Sequence, residues 1–313
     1  TNNITYTVTL PATATSASGN YVLTVVAAGS GIADGASNPL AGDASTGFTV
    51  DAVSPTPSID PILPNPRNTA VPSIIARFNE AVTGVGASDF RLLRDGVPVS
   101  LASATVSTPD NIVFTLGNLS AVTGGSGAYT ITLVAAGSGI ADLVGNPLVV
   151  DASAAFTVDL VPPSAAINPV LPNPRNVAVT MVGIQFNEPV TGVDPTDFQL
   201  TRGAMVVLLT GATVSTSDGM LWTLILPAAL TAPQGSYTLA LRATGTGIAD
   251  LAANPFTAGA TTSFVVDTTA PTATITAVSP DPRGSGVDVM TIIFSEPVAG
   301  FDLVFSCPKS VSV

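Results

Sequence analysis

The sequence predicts an all-β chain of tandem two-sheet sandwiches set end to end in a rod, and three observations predict it. An internal repeat recurs every 108 residues, apolar positions alternate within each repeat, and turn residues fall at short intervals. The motif Phe-Asn-Glu closes at Glu80 and Glu188 and returns as Phe-Ser-Glu at Glu296, in steps of 108 residues. The same step carries the run Gly29 to Asp34 onto Gly137 to Asp142 and then Gly245 to Asp250. Asp51, Asp159 and Asp267 follow it, as do Arg67, Arg175 and Arg283. No insertion or deletion interrupts the period, so loops as well as strands keep their lengths.

Within one period the strands, lettered A to G, can be placed in order. Strand A is expected near 56–62 and strand B near 73–80, where Ile74, Ala76 and Phe78 point inward. Strand C is expected near 90–95. Strand E, near 111–118, has Ile112, Phe114 and Leu116 as its inward set, matched by Ile4, Tyr6, Val8 and by Met220, Trp222, Leu224. Strand F, near 128–136, buries Tyr129, Ile131 and Leu133, matched by Tyr21, Leu23, Val25 and by Tyr237, Leu239, Leu241. Strand G, near 152–159, buries Phe156 and Val158, matched by Phe48, Val50 and by Phe264, Val266. Strand D has no clear position. The period of two is what a strand with one buried face requires, and no window sustains a helical period. About seven strands per period make a two-sheet sandwich. Boundaries are placed after each Val-Asp pair: a C-terminal half-repeat 1–51, complete repeats 52–159 and 160–267, and an N-terminal half-repeat 268–313.

Composition narrows function. The net charge is -12 and only 10% of residues are charged. That balance repels nucleic acid and anionic membranes and favours solvated cations. There is no histidine and a single cysteine, Cys307, so the commonest general base and zinc ligand are missing and no intrachain disulfide can form. No apolar stretch is long enough for a membrane helix.

The elements Phe186-Asn-Glu-Pro-Val-Thr-Gly192, Asp197-Phe198, Ile248-Ala-Asp250 with Asn254-Pro255, and Val266-Asp267-Thr-Thr-Ala-Pro271 resemble the bacterial immunoglobulin-like domains found in tandem in large surface proteins, adhesins and S-layer-associated proteins. The resemblance implies tandem immunoglobulin-like β-sandwiches and an extracellular or cell-surface place on a bacterium. It is specific for the fold and weak for function, because such modules act as spacers, binders and filament subunits alike. The pattern is broken after Asp302: Phe305 stands at the position matching Asp89 and Asp197, and Cys307 and Lys309 lie beyond it.

The three glutamates of the chain, Glu80, Glu188 and Glu296, all hold one repeat position. In a sandwich of this type the B–C and F–G loops share the pole at which the preceding strand G arrives. This is expected to gather Asp51, Glu80, Asp142 and Asn146 at one junction and Asp159, Glu188, Asp250 and Asn254 at the next, with Asp267 and Glu296 beginning a third. Hard oxygen ligands at a hinge suit calcium. Two other readings stay open: carboxylates capping their own loops, and ion pairs to Arg67, Arg175 and Arg283.

Other motifs are weaker. Gly137-Ser-Gly139 lacks the third glycine and the strand-to-helix setting of a dinucleotide fingerprint. Asp194 and Asp197 imitate a carboxylate pair, but position 86 holds Gly, so a solvated loop is expected. Serines abound without a base to activate them. Trp222 is expected in the core. Asn3-Ile-Thr5 and Asn118-Leu-Ser120 satisfy the N-glycosylation pattern.

No catalytic constellation emerges. The leading expectation is a structural stalk, filament or surface-layer component, and the alternative is an adhesin or a spacer and binding module of a secreted hydrolase. The two half-repeats add a further expectation, head-to-tail self-association in which 268–302 packs on residues 1–51 of a neighbour. Its competitor is that both halves are completed within a longer polypeptide.

Overall fold

A computed structural model describes residues 4–302. The sequence expectations for Phe305, Cys307 and Lys309, and for a strand C in the last half-repeat, lie outside these residues. The chain divides into two compact units, the first comprising 1–163 with 249–255 and the second 164–248 with 256–313.

Unit 1 opens with β1 (Gly19–Val25) and β2 (Ala44–Val50), an antiparallel pair. Ten further strands follow: β3 (Pro57–Ile59), β4 (Ile74–Phe78), β5 (Val82–Thr83), β6 (Phe90–Arg94), β7 (Val97–Val99), β8 (Thr105–Ser107), β9 (Val113–Gly117), β10 (Gly127–Leu133), β11 (Ala141–Asp142) and β12 (Ala152–Val158). They make one sheet in the order β3-β4-β9-β8 and another in the order β12-β10-β6-β7, with β5 and β11 forming a short pair at one pole. In lettered terms these sheets are A-B-E-D and G-F-C-C′, the immunoglobulin arrangement. Strand D, which the sequence pattern leaves unplaced, is β8, and β7 is an additional edge strand. Asp95 and Gly96, both at positive φ, turn β6 into β7 as a tight hairpin demands.

Unit 2 repeats the plan with β13 (Ala165–Ile167), β14 (Met181–Phe186), β15 (Val190–Thr191), β16 (Phe198–Arg202), β17 (Met205–Val207), β18 (Thr213–Thr216), β19 (Leu221–Ile225) and β20 (Gly235–Leu241). A two-residue strand, β21 (Ala249–Asp250), lies in the loop assigned to unit 1; β22 (Ala260–Val266) completes the second sandwich. Its sheets run β13-β14-β19-β18 and β17-β16-β20-β22. The pair β23 (Ala273–Ile275) and β24 (Ile292–Phe294) follows. Helical structure among the described residues is confined to four three-residue 3-10 turns.

Each core lies between its two sheets. Ile74, Phe78, Phe114, Leu116, Tyr129, Ile131 and Phe156 meet in the first, and Ile184, Phe186, Leu200, Leu224, Tyr237, Leu239 and Phe264 in the second. Paired strands place Tyr129 opposite Phe156 with rings stacked at 4.9 Å, and Tyr237 opposite Phe264 at 5.1 Å. Tyr129 donates its hydroxyl to the carbonyl of Gly125, and Tyr237 to that of Pro233. This tyrosine corner marks the start of strand F in immunoglobulin-like sandwiches. A buried threonine closes each E–F turn. Thr123 Oγ1 accepts from the Val71 amide at 2.9 Å and lies within hydrogen-bond reach of the carbonyls of Val71 and Leu119. Thr231 does the same at Val179.

Several inward assignments are corrected. Ile112 is exposed, because it precedes β9 at the open end of the sheet. Ile4, Tyr6 and Val8 are exposed and form no strand, and Leu23, Val25 and Phe48 are exposed as well. Trp222 is partly buried against the second core, and its Nε1–H donates to the Gly219 carbonyl at 2.9 Å.

Candidate functional site

The pole of the sandwich 57–158 gathers the carboxylates singled out in the sequence. Asp51, Glu80 and Asp142 each place one oxygen within 4.8 Å of the others; Asp51 is exposed, Glu80 half-buried and Asp142 buried. Glu80 arrives at the end of β4. There Asn79 fastens the incoming linker, accepting from the Thr56 amide at 2.6 Å and donating its own amide to the Thr56 carbonyl at 3.2 Å. Asp142 arrives through β11, where Ala141 and Asp142 pair with Thr83 and Val82. Close packing holds the loop against this turn: Gly84 has φ +86, and a Cβ there would lie 2.8 Å from the Gly139 carbonyl oxygen.

Most of the capacity of Asp142 is used inside its own loop. Oδ1 accepts from the amides of Val144, Gly145 and Asn146, and Oδ2 accepts from Asn146 Nδ2 at 2.7 Å. Burial pushes this carboxyl up, but the Asn146 side chain and the three amides outweigh it and hold its pKa below the ordinary value. Asn146 also donates to the Asp51 carbonyl at 3.1 Å, tying the F–G loop to the linker that enters the sandwich. Asp51 accepts the Val53 amide, and Glu80 accepts Asn79 Nδ2 at a long 3.4 Å. The loop-capping reading therefore describes Asp142 and, through the Val53 amide, one oxygen of Asp51.

In the 249–255 loop, Asn254 donates to the Asp159 carbonyl at 2.9 Å and to Asp250 Oδ2 at 2.8 Å. Glu188 follows β14 in unit 2 and accepts Asn187 Nδ2 at 3.3 Å. Asp267 and Glu296 both border a cleft of about 510 Å³ in unit 2. The arginines of the ion-pair reading bond their own loops: Arg67 Nε donates to the Thr69 carbonyl, Arg175 Nε to the Val177 carbonyl, and Arg283 reaches Ser285. An exposed ion pair links Arg77 to Asp60 at 2.8 Å. Sequence reasoning left Asp34 and Asn38 out of the site. Asn38 Nδ2 donates to Asp34 Oδ2 at 2.9 Å, the geometry of Asn146 and Asp142, and the 108-residue step would have found both.

The remaining motifs resolve structurally. Gly137-Ser-Gly139 is a turn leading into β11, with Ser138 Oγ donating to the Ala135 carbonyl, and no helix follows it. Asp197 is buried rather than solvated. Its Oδ2 accepts the Asp194 amide at 2.8 Å across a 3-10 turn, and burial, supported by the Asp194 charge, raises its pKa against the opposing effects of that amide and Arg242. Asn118 uses Nδ2 to donate to the Ser103 carbonyl at 2.7 Å, so a glycan there would break that bond.

These features define a class: tandem immunoglobulin-like β-sandwiches joined by short linkers. No protein-family model matches the chain, and no curated protein matches it. Among solved structures, a titin A168169 fragment is similar at 13% identity and TM-score 0.26, covering 69% of this chain and 100% of that one. An I-band fragment of titin is similar at 14% identity and TM-score 0.26, covering 80% and 74%. No helix among the described residues is long and apolar enough to cross a membrane.

Proposed function

We propose that the chain is a non-catalytic structural segment of a bacterial cell surface, a stalk, filament or surface-layer component whose repeats set length. The observation that carries this reading is the hydrogen bond from Asn146 to the Asp51 carbonyl, with its counterpart from Asn254 to Asp159. The polar groups of the F–G loop, which in a binding module would face a ligand, are committed to the loop itself and, through the asparagine, to the linker. Calcium belongs to the same proposal: it would sit among Asp51, Glu80 and Asp142, with Asp159, Glu188, Asp250 and Asn254 as the matching residues of the next repeat, and stiffen each junction. So does head-to-tail self-association between copies of the chain.

Electron microscopy of native material, combined with protease shaving of intact cells, tests the reading. Filaments or rods released from the cell surface are the expected result. A protein confined to the cytoplasm, or present as isolated compact particles, would overturn it.

A further inference from the structure

In unit 2, β17 is the outer strand of the sheet β17-β16-β20-β22. The β16–β17 hairpin closes on Arg202 and Met205, with Thr201 opposite Val206 and Leu200 opposite Val207. The Gly203 amide donates to the Ser236 carbonyl at 2.8 Å, so Thr201 and Gly203 turn their main chain to β20 while Leu200 and Arg202 turn theirs to β17. Val206, opposite Thr201, therefore directs its N–H and C=O away from the sheet. In unit 1 the same edge belongs to β7, and Pro98 stands where Val206 stands. Proline has no N–H to offer and is one of the residues that blunt a sheet edge. Unit 2 lacks this guard: Met205, Val206 and Leu208 are 66%, 58% and 76% exposed, with Leu208 at the place of Ser100.

What fits this edge is an identical one. The outward donor and acceptor belong to one residue, so two copies related by a two-fold axis at Val206 satisfy each other. In that register Met205 falls opposite Val207, and Leu208 opposite Ala204. Met205 lies on the same face of the strand as Val207, which packs against the second core. Beside Val207, where β17 ends and Leu209 no longer pairs with β16, a notch of about 360 Å³ opens, bordered also by Phe198, Gln199 and Arg242. The exposed thioether of each copy thus meets the notch of the other. Charge does not oppose the contact. The chain carries a net -12, yet residues 203–217 hold no charged side chain, and Arg202 would face Thr210.

We propose that β17 of one copy pairs antiparallel with β17 of a second copy, merging two four-stranded sheets into one. The Val206 N–H of each copy donates to the Val206 carbonyl of the other, and each Met205 seats in the opposite notch. This edge-to-edge contact is separate from the head-to-tail association proposed above, and either can fail without the other. A short strand buries little surface, so the pairing is expected at high protein concentration.

The test uses the whole chain. In a Cys307→Ser background, Val206→Cys is oxidised at high concentration. Opposed residues of a hydrogen-bonded antiparallel pair have Cα atoms about 5.5 Å apart, within disulfide reach. A disulfide-linked dimer is expected, whereas Leu208→Cys, which faces Ala204, should give about tenfold less. Sedimentation equilibrium on the unsubstituted protein, up to millimolar concentration, should show self-association that Val206→Pro weakens about tenfold or more by removing the two central hydrogen bonds. Pro98 shows that this strand position accepts proline. Met205→Lys, at a site exposed in the single copy, should weaken association similarly, because it brings a charge to the edge and to a notch bordered by Arg242. Cross-linking of Val206→Cys no stronger than that of Leu208→Cys overturns the proposed register. Association untouched by Val206→Pro and Met205→Lys overturns the pairing and leaves head-to-tail association standing. A monomer at every concentration overturns the pairing and leaves the edge to a strand from a different protein.

Discussion

Asn146 Nδ2 donates to the main-chain carbonyl of Asp51, ninety-five residues earlier, while also bonding Asp142 Oδ2. One amide group thus holds the F–G loop in shape and fixes the linker to the sandwich it enters. Asn146→Ala removes both bonds from a half-buried site and leaves the Asp51 carbonyl without this donor. A loss of about 2 kcal/mol is expected in urea denaturation, within the range for an unsatisfied group. Asn146→Asp should cost more, since its carboxylate would face Asp142. Unchanged stability in both variants would show that the linker is held by other contacts.

Calcium should reverse the effect of one substitution. Without the ion, Asp51, Glu80 and Asp142 crowd three negative charges within 4.8 Å, so Glu80→Gln relieves repulsion and raises the melting temperature. With millimolar calcium the same substitution removes a ligand and lowers it relative to the unsubstituted protein. Titration calorimetry on chelator-treated protein gives the direct measurement. Silence there leaves the carboxylates as loop caps.

Acid should destabilise unit 1. Asp34, held down first by the Asn38 side chain, Asp110, by the amides of Val113 and Ile112, and Asp142 all titrate below the ordinary value of 3.8. A folded-state pKa below the unfolded one contributes stability that is present above the unfolded value and disappears as pH falls through the folded value. Scanning calorimetry from neutral pH downward should therefore show a falling transition temperature below about pH 4, the region of an unperturbed aspartate.

Asp197 has the opposite sign. Burial raises its pKa, so the stability linked to it is present below the unfolded value and lost as pH rises through the folded one. Asp197→Asn keeps an oxygen for the Asp194 amide and removes the buried charge. It should leave unit 2 at least as stable at neutral pH, read from the fluorescence of Trp222, the only tryptophan. Marked destabilisation would mean that the charge itself is needed at the 3-10 turn.

Thr123→Val preserves shape but removes the acceptor of the buried Val71 amide. A cost of about 1–3 kcal/mol is expected, the usual penalty for an unsatisfied buried group. Thr231→Val should behave alike in unit 2, where Thr231 accepts the Val179 amide. A neutral result in either would show that a relaxed turn or water supplies the partner.

The period of two along Tyr129, Ile131, Leu133 and along Phe156, Val158 determined strands, their inward faces and the sandwich, because a half-buried strand can satisfy water and core only by alternating. Repetition of single residues such as Glu80 and Asp142 marked the pole. The role of Asp142 was legible only as one of three open readings, since whether it caps its loop depends on how 142–146 folds back on itself. Thr123 was equally hidden: in a threonine-rich chain nothing distinguishes one hydroxyl that will be buried. Burial itself belongs to the tertiary structure. Phe48 and Phe156 are the same residue type at the same repeat position, yet one is 41% exposed and the other 1%. Alternation states which face of a strand is apolar; whether water leaves that face depends on an opposing sheet supplied by residues far away in the chain, and that is decided only when the sheets meet.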